Sequence, residues 1–174
     1  DKRNYSWVDL DNDKAIEIII NYLIKKNHSH ISYINISEKY NFANERKASF
    51  LKNLKLHKIK FNKNYYASVK LEEPEKSFEI IKQMLTKNKK ITAIICSTEF
   101  SALSAIKACD FLNYKIGKDI SIITFDGALV SDLSSPPITA ASFPVKELGK
   151  RAINILLSKK IKNQSITFMP KSKI

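Results

Sequence analysis

Residues able to carry out chemistry are sparse in this 174-residue chain. It has three glycines, Gly117, Gly127 and Gly149. A phosphate cradle needs glycines at close spacing, so that main-chain N–H groups can approach the anion; neither GxGxxG nor a P-loop can be written here. No GxSxG turn is present to lift a nucleophilic serine. His28 and His30 share a side of an extended segment, but no third metal ligand stands near. His28 ending a helix, with a partly cationic ring facing the dipole, is the better reading. Asp9, Asp11 and Asp13 imitate the opening of a calcium loop, yet Lys14 and Ile20 hold the places of its glycine and its bidentate glutamate. Helix capping accounts for them. Cys96 and Cys109 belong to no CxxC pair and sit in apolar patterns, as buried thiols do in a reducing compartment. The expectation is a protein with no cofactor, no metal and no catalytic constellation.

The formal net charge is +13. Charge of that size favours polyanions when it gathers on one face. Here lysines are scattered through every segment. Arginine, the better reader of bases and phosphates, stands only at positions 3, 46 and 151. The abundance of Lys, Asn and Ile reads as compositional bias, so the charge says little about direct DNA contact. No run of about 18 uncharged apolar residues occurs, so no membrane partner is expected. The first residues also lack the apolar stretch of a secretory signal.

The elements that must position any site alternate along the chain. A helix is expected over 14–26, capped from Asp11-Asn12-Asp13, with Ile16, Ile19, Ile20, Leu23 and Ile24 at helical period. A strand follows over 31–36. A polar loop over 37–44 then leads into a helix with Phe50, Leu51 and Leu54. Further strands are expected over 65–69, 91–96 and 120–125, with helices from about Pro74 and over 99–112 between them. The run 91–96 is almost continuously apolar, as in a strand covered on both faces. Pro136-Pro137 bars a helix in the loop 128–137. A last amphipathic helix is expected over 145–159 and a final strand over 166–169. Such alternation specifies an α/β fold with a doubly wound parallel sheet. Ligands in that class bind beyond the carboxyl ends of the strands, which here are the loop after Ile36, Ser97-Thr98-Glu99 and Asp126-Gly127.

Five ordered blocks then resemble one family. Val8-Asp9-Leu10-Asp11-Asn12, followed by Tyr22-Leu23-Ile24-Lys25-Lys26-Asn27-His28, is similar to "V.xDN…yLi..GH". Arg46-Lys47-Ala48-Ser49-Phe50 is similar to "R..G[FY]". Residues Thr92 to Ala102 resemble "tAifc.ND..A", Gly117 to Asp126 resemble "vP.disiiGfD", and Pro137-Ile138-Thr139 with Leu148-Gly149 and Ala152 resemble "P.LTtv…lG..A". Together they identify the chain as resembling the effector domain of LacI/GalR transcriptional regulators, which share the type I fold of periplasmic binding proteins. Residues 129–133 resemble the maltose-type branch.

The resemblance implies a division of the chain. Residues 1–9 would end an N-terminal subdomain and 10–141 form the C-terminal subdomain. Residues 142–169 would return to the first, and 170–174 lie as a tail on the second. The DNA-reading head and the beginning of the first subdomain would be absent, leaving apolar surface exposed. It also implies an effector site: Arg46 and Asp126 bonding sugar hydroxyls, Thr98 in place of the family's asparagine, and Phe42 and Tyr40 stacking on an apolar sugar face. Glu99 replaces the family's aspartate, and the glycines at 27 and 49 are lost. Homodimer contacts would come from Leu103, Ile106 and Asp110, with Ala105 beside them, and from Leu129 and Leu133. The implied function is a cytoplasmic, non-enzymatic repressor that binds a small carbohydrate and reads operator DNA through its absent head. The alternative is a periplasmic sugar-binding protein of an ABC transporter.

Overall fold

Strand β2 (Ile31–Ile36) is buried at every residue, which requires layers on both of its faces. The computed structural model supplies them, and describes residues 6–71, 73, 75–125, 133–158, 165–168 and 171–173. The elements run β1 (Trp7–Leu10), α1 (Asn12–Lys25), β2, α2 (Asn41–Leu56), a 3-10 turn (Lys63–Tyr65) and β3 (Tyr66–Val69). They continue as α3 (Lys76–Lys87), β4 (Ala93–Cys96), α4 (Glu99–Phe111), β5 (Ser121–Phe125), β6 (Thr139–Ser142), α5 (Val145–Leu157), β7 (Ser165–Phe168) and β8 (Lys171–Lys173).

Six strands form one sheet in the order β3-β2-β4-β5-β6-β8. The first five are parallel, with Ile31 opposite Ala93 and Ala93 opposite Ser121; β8 joins the edge antiparallel to β6. Helices α1 and α2 pack against each other on one face, around Ile16, Ile20, Leu23, Phe50 and Phe125. Helices α3 and α4 cover the other face, around Ile81, Leu85, Ala105 and Cys109. The expected doubly wound α/β class is therefore the observed one. Cys96 and Cys109 are buried free thiols, and burial pushes the Cys109 thiol up to about 12. Among the described residues no cluster of His, Cys, Asp or Glu could hold a metal, and no helix is long and apolar enough to cross a membrane.

Three helices end in the same way. Asn27, Lys58 and Asn113 take positive φ values of 64°, 57° and 60°. The next residue's N–H then reaches back to Leu23, Leu54 and Cys109 respectively, the Schellman closure of a helix C-terminus. Each turn delivers the chain to the amino-terminal edge of the sheet. His28 follows the first of them. Its Nδ1 lies 2.9 Å from Thr92 Oγ1 and its Nε2 3.1 Å from Ser121 Oγ, so one ring ties together the entrances of β4 and β5. Burial holds its pKa below the usual histidine value. The expected partly cationic ring is therefore replaced by a neutral imidazole.

Several boundaries move from the sequence reading. Helix α2 starts at Asn41 inside the expected polar loop, without a side-chain cap at Tyr40. Helix α3 begins at Lys76. Strand β6 stands where no element was expected, its Ala140 and Ala141 buried. Among the described residues strand β1 pairs only with β7, parallel, in a separate two-stranded sheet. Helix α5 packs on β1 but buries no residue. Val145, Ile153, Leu156 and Leu157 are 57–84% exposed.

Candidate functional site

The carboxyl ends of β2 and β4 open onto the loops that lead into α2 and α4, and β5 ends at Phe125; Tyr40, Phe42 and Arg46 stand at the head of α2 and Thr98 at the head of α4. Arg46 sits in the second turn of α2 yet is only 4% exposed. The helix runs from beside β2, so its first turns lean over β5 and α1. Arg46 Nε donates to Asn12 Oδ1 at 2.8 Å, and Asn12 Nδ2 donates to Glu45 Oε2 at 2.9 Å. Asn12 stands just inside α1, placed there because Asp11 caps the helix by accepting from Lys14 N. The guanidinium carbon lies 4.1 Å from the centroid of Phe125, 5.2 Å from Phe42 and 5.9 Å from Phe143. Phe125 and Phe143 are stacked, at 6.4 Å and 11°.

This cradle resolves a physical problem. A cation removed from water costs several kcal/mol unless it is paired or faces π-density. Three aromatic rings and the Asn12 amide offset that cost. A guanidinium held in one plane can present two parallel N–H groups to vicinal oxygens.

Tyr40 and Phe42 lie beside it, stacked on each other at 5.8 Å and 27°, with Phe42 36% exposed. The structure thus brings Tyr40, Phe42 and Arg46 into one patch. Asp126 directly follows Phe125, the ring nearest the guanidinium; Asp126 and Leu129 lie outside the described residues. Thr98 lies at the head of α4, on the α3–α4 side of the sheet. Its Oγ accepts from Ser101 N at 3.1 Å while Ser101 Oγ accepts from Thr98 N at 3.2 Å, a reciprocal capping box. The hydroxyl is thus partly committed to its own helix. Thr98 also lines a cavity of about 210 Å³ with Asn35, Leu71 and Phe100.

Beneath the site runs a polar network that sequence reasoning missed. Asn35, 1% exposed, donates from Nδ2 to Ala43 O at 2.9 Å and to Tyr66 Oη at 3.0 Å. Its Oδ1 accepts from Ile36 N, Ser97 Oγ and Tyr33 Oη at 2.8–3.1 Å. Tyr66 Oη donates onward to Glu38 Oε1, whose carboxylate is clasped by Lys47 at 2.7 Å. The Lys47 ammonium holds Glu38 below the usual carboxylate range, and burial raises the Tyr33 phenol to about 12. Asn35 therefore pins the first turn of α2, and with it Tyr40, Phe42 and Arg46. The available signal was an asparagine next to last in a strand of three isoleucines, a serine and a tyrosine. Phe143 was also missed; it follows the unforeseen β6 and carried no periodic signal.

On α4, Leu103 is 43% exposed, Asp110 is exposed and Ile106 is partly buried. Ala105 is core. Leu133 is exposed, as are Phe100 and Phe111 along the same helix face as Leu103.

Residues 20–171 match the family described as "Periplasmic binding protein-like domain". The chain is 30% identical over 153 residues to the HTH-type transcriptional repressor PurR of Erwinia tasmaniensis, an alignment covering 86% of this chain and 45% of that protein. It spans about half the length of the curated relatives it matches. Its fold superimposes on a LacI-family regulatory protein from Chloroflexus aggregans with a TM-score of 0.89 at 23% identity, covering 100% of this chain and 64% of that one. It also superimposes on the transcriptional regulator CelR in complex with cellobiose, with a TM-score of 0.88 at 14% identity, covering 100% and 54%. With a family match across most of its length, the chain belongs to the periplasmic-binding-protein-like domain family.

Proposed function

We propose that the chain is the effector-sensing part of a LacI-type transcriptional repressor, and that it binds a sugar or sugar-like molecule at the carboxyl edge of its six-stranded sheet. The observation that carries this reading is Arg46: buried, close to the rings of Phe125 and Phe42, and bonded through Nε to Asn12. A planar guanidinium is suited to vicinal hydroxyls. In this reading Asp126 also accepts from hydroxyls, Thr98 offers a single hydroxyl, and the Tyr40–Phe42 stack meets an apolar ring face.

The relatives named as HTH-type transcriptional repressors support the repressor reading, and the cellobiose held by CelR supports a small-molecule sensor. Effector binding favours one arrangement of two subdomains over another, and differential affinity for the two shifts a DNA-binding equilibrium. The full regulator acts in the cytoplasm as a homodimer, through Leu103, Ile106, Asp110, Leu129 and Leu133, and reaches operator DNA through a helix-turn-helix head outside these residues.

The test is isothermal titration of the full-length protein against mono- and disaccharides, with Arg46→Lys alongside. A lysine keeps the charge but loses the planar fork, so affinity falls about ten-fold or more. Absence of heat and of any Tm shift with every sugar would end the carbohydrate reading. Failure to retard DNA with the head present would end the repressor reading and leave solute capture.

A further inference from the structure

A cavity lined by Ser29, His30, Leu54, Lys58 and Phe61 lies at the opposite edge of the sheet from Arg46 and takes no part in the proposed sensing. It has a volume of about 660 Å³, and its lining includes Lys58, Lys60, Lys63, His30, Phe61 and Tyr65. We propose that this cavity is a second ligand site, for a phosphate monoester carried on a ring.

Charge is the first argument. Lys58, Lys60 and Lys63 converge on one concavity, and no Asp or Glu lines it. Elsewhere the described lysines at 14, 47, 52, 76 and 82 are matched by carboxylates within 2.5–2.8 Å. None of the three cavity lysines has a carboxylate partner among the described residues. Three ammonium groups around one hollow raise the local potential for a dianion, and the partly enclosing walls weaken solvent screening.

The second argument is order. Lys58 holds φ at 57°, where the equivalent turns after α1 and α4 use asparagine. A lysine there is strained relative to Gly or Asn, a cost that a use for its ammonium would offset. Lys63 opens the 3-10 turn, which Asn62 caps by accepting from Asn64 N. The three lysine stems thus leave a backbone of defined geometry.

The third argument is the kind of ring. Phe61 is 40% exposed and is set edge-on against Phe50 and Tyr66 at 6.4 and 6.5 Å. Tyr65 and His30 meet at 6.0 Å, with Tyr65 Oη 3.4 Å from His30 Nδ1. An aromatic wall beside three ammonium groups suits a phosphate attached to a sugar or a base, and offers inorganic phosphate much less.

The experiment is titration of the full chain at low ionic strength with AMP, ribose 5-phosphate and inorganic phosphate, read by calorimetry and by amide chemical shifts over residues 57–66. Both ring phosphates are expected to saturate and to bind more tightly than inorganic phosphate. AMP exceeding ribose 5-phosphate assigns the wall to a base, and equality assigns it to the sugar. Lys58→Gln/Lys60→Gln/Lys63→Gln is expected to weaken binding at least ten-fold, whereas Lys87→Gln/Lys89→Gln/Lys90→Gln, the same charge change elsewhere, leaves it unaltered. Lys60→Gln alone, which does not touch the α2 terminus, weakens it in the same direction. No saturable binding, equal affinity for all three probes, or equal loss in the two triple variants overturns the proposal.

Discussion

Removing the Asn35 side chain tests whether the site is built from the sheet upward. Asn35→Ala deletes five hydrogen bonds at once. Three partners keep another bond: Tyr33 Oη and Ser97 Oγ still lie 2.8 Å apart, and Tyr66 Oη still donates to Glu38. The contacts to Ile36 N and Ala43 O have no side-chain replacement. A net hydrogen bond is worth about 1 kcal/mol, and a buried polar group left unpaired costs about 1–3 kcal/mol. The expected loss is therefore about 3 kcal/mol by urea unfolding, or a fall in Tm of about 6–12 °C for a domain of this size. The loss should also be local. Amides 41–46 in the first turns of α2 should exchange faster, while those of α3 keep their protection. Asn35→Asp keeps the acceptor but turns a carboxylate towards the Ala43 carbonyl, so it should be as damaging at neutral pH and milder once protonated. A loss below about 1 kcal/mol, or exchange rising equally in α2 and α3, would refute the claim that Asn35 anchors the site.

Three further outcomes follow from the same geometry. Because burial lowers the His28 pKa below its unfolded value of about 6.5, the unfolded state binds more protons just below that pH. Stability is thus fully present above pH 6.5 and is lost as pH falls through the folded pKa; chemical denaturation between pH 7.5 and 5 should show this slope for the native chain, and a flatter one for His28→Gln. Leu156→Gln/Leu157→Gln on the exposed side of α5 should change stability by less than about 0.5 kcal/mol while reducing binding of a hydrophobic dye and self-association in light scattering. Lys58→Gly relieves the left-handed lysine and should stabilise by up to about 1 kcal/mol, whereas Asn113→Gly should gain little; equal gains at both positions would remove the argument from strain.

The fold was legible where burial imposes a period. Ala93–Cys96 is apolar at every position because both faces are covered, Ile31–Ile36 is marked by its three isoleucines and tyrosine, and α1 repeats its isoleucines because one face is covered. It was illegible where tertiary contacts replace local chemistry. Thr139–Ser142 has no β-branched run, only two alanines small enough to fit beneath α1. Lys171–Lys173 carries no apolar pattern at all; it is an edge strand whose backbone bonds are made to β6, and lysines at an edge discourage further pairing. Helix α2 begins without a capping side chain, so its start left no mark in the sequence.

Arg46 shows where such reading stops. The family resemblance marked it as a hydroxyl-binding candidate; the alternative is a solvated arginine near a helix start. One part of its surroundings is local: Phe42 precedes it by one helical turn, a spacing at which side chains meet. The rest is not. Asn12, Phe125 and Phe143 come from α1, β5 and the turn after β6, and only the sheet order places them around one guanidinium. Burial therefore strengthens the functional reading. A surface arginine would need no aromatic enclosure, and one serving only packing would be replaceable by an apolar side chain at lower desolvation cost. An arginine packed on Phe125, the residue before Asp126, fits the proposed hydroxyl-binding site. Arg46→Met separates the two roles: if packing were the purpose, stability would hold or rise and effector affinity would survive, whereas a hydroxyl-binding fork predicts retained folding with affinity lost.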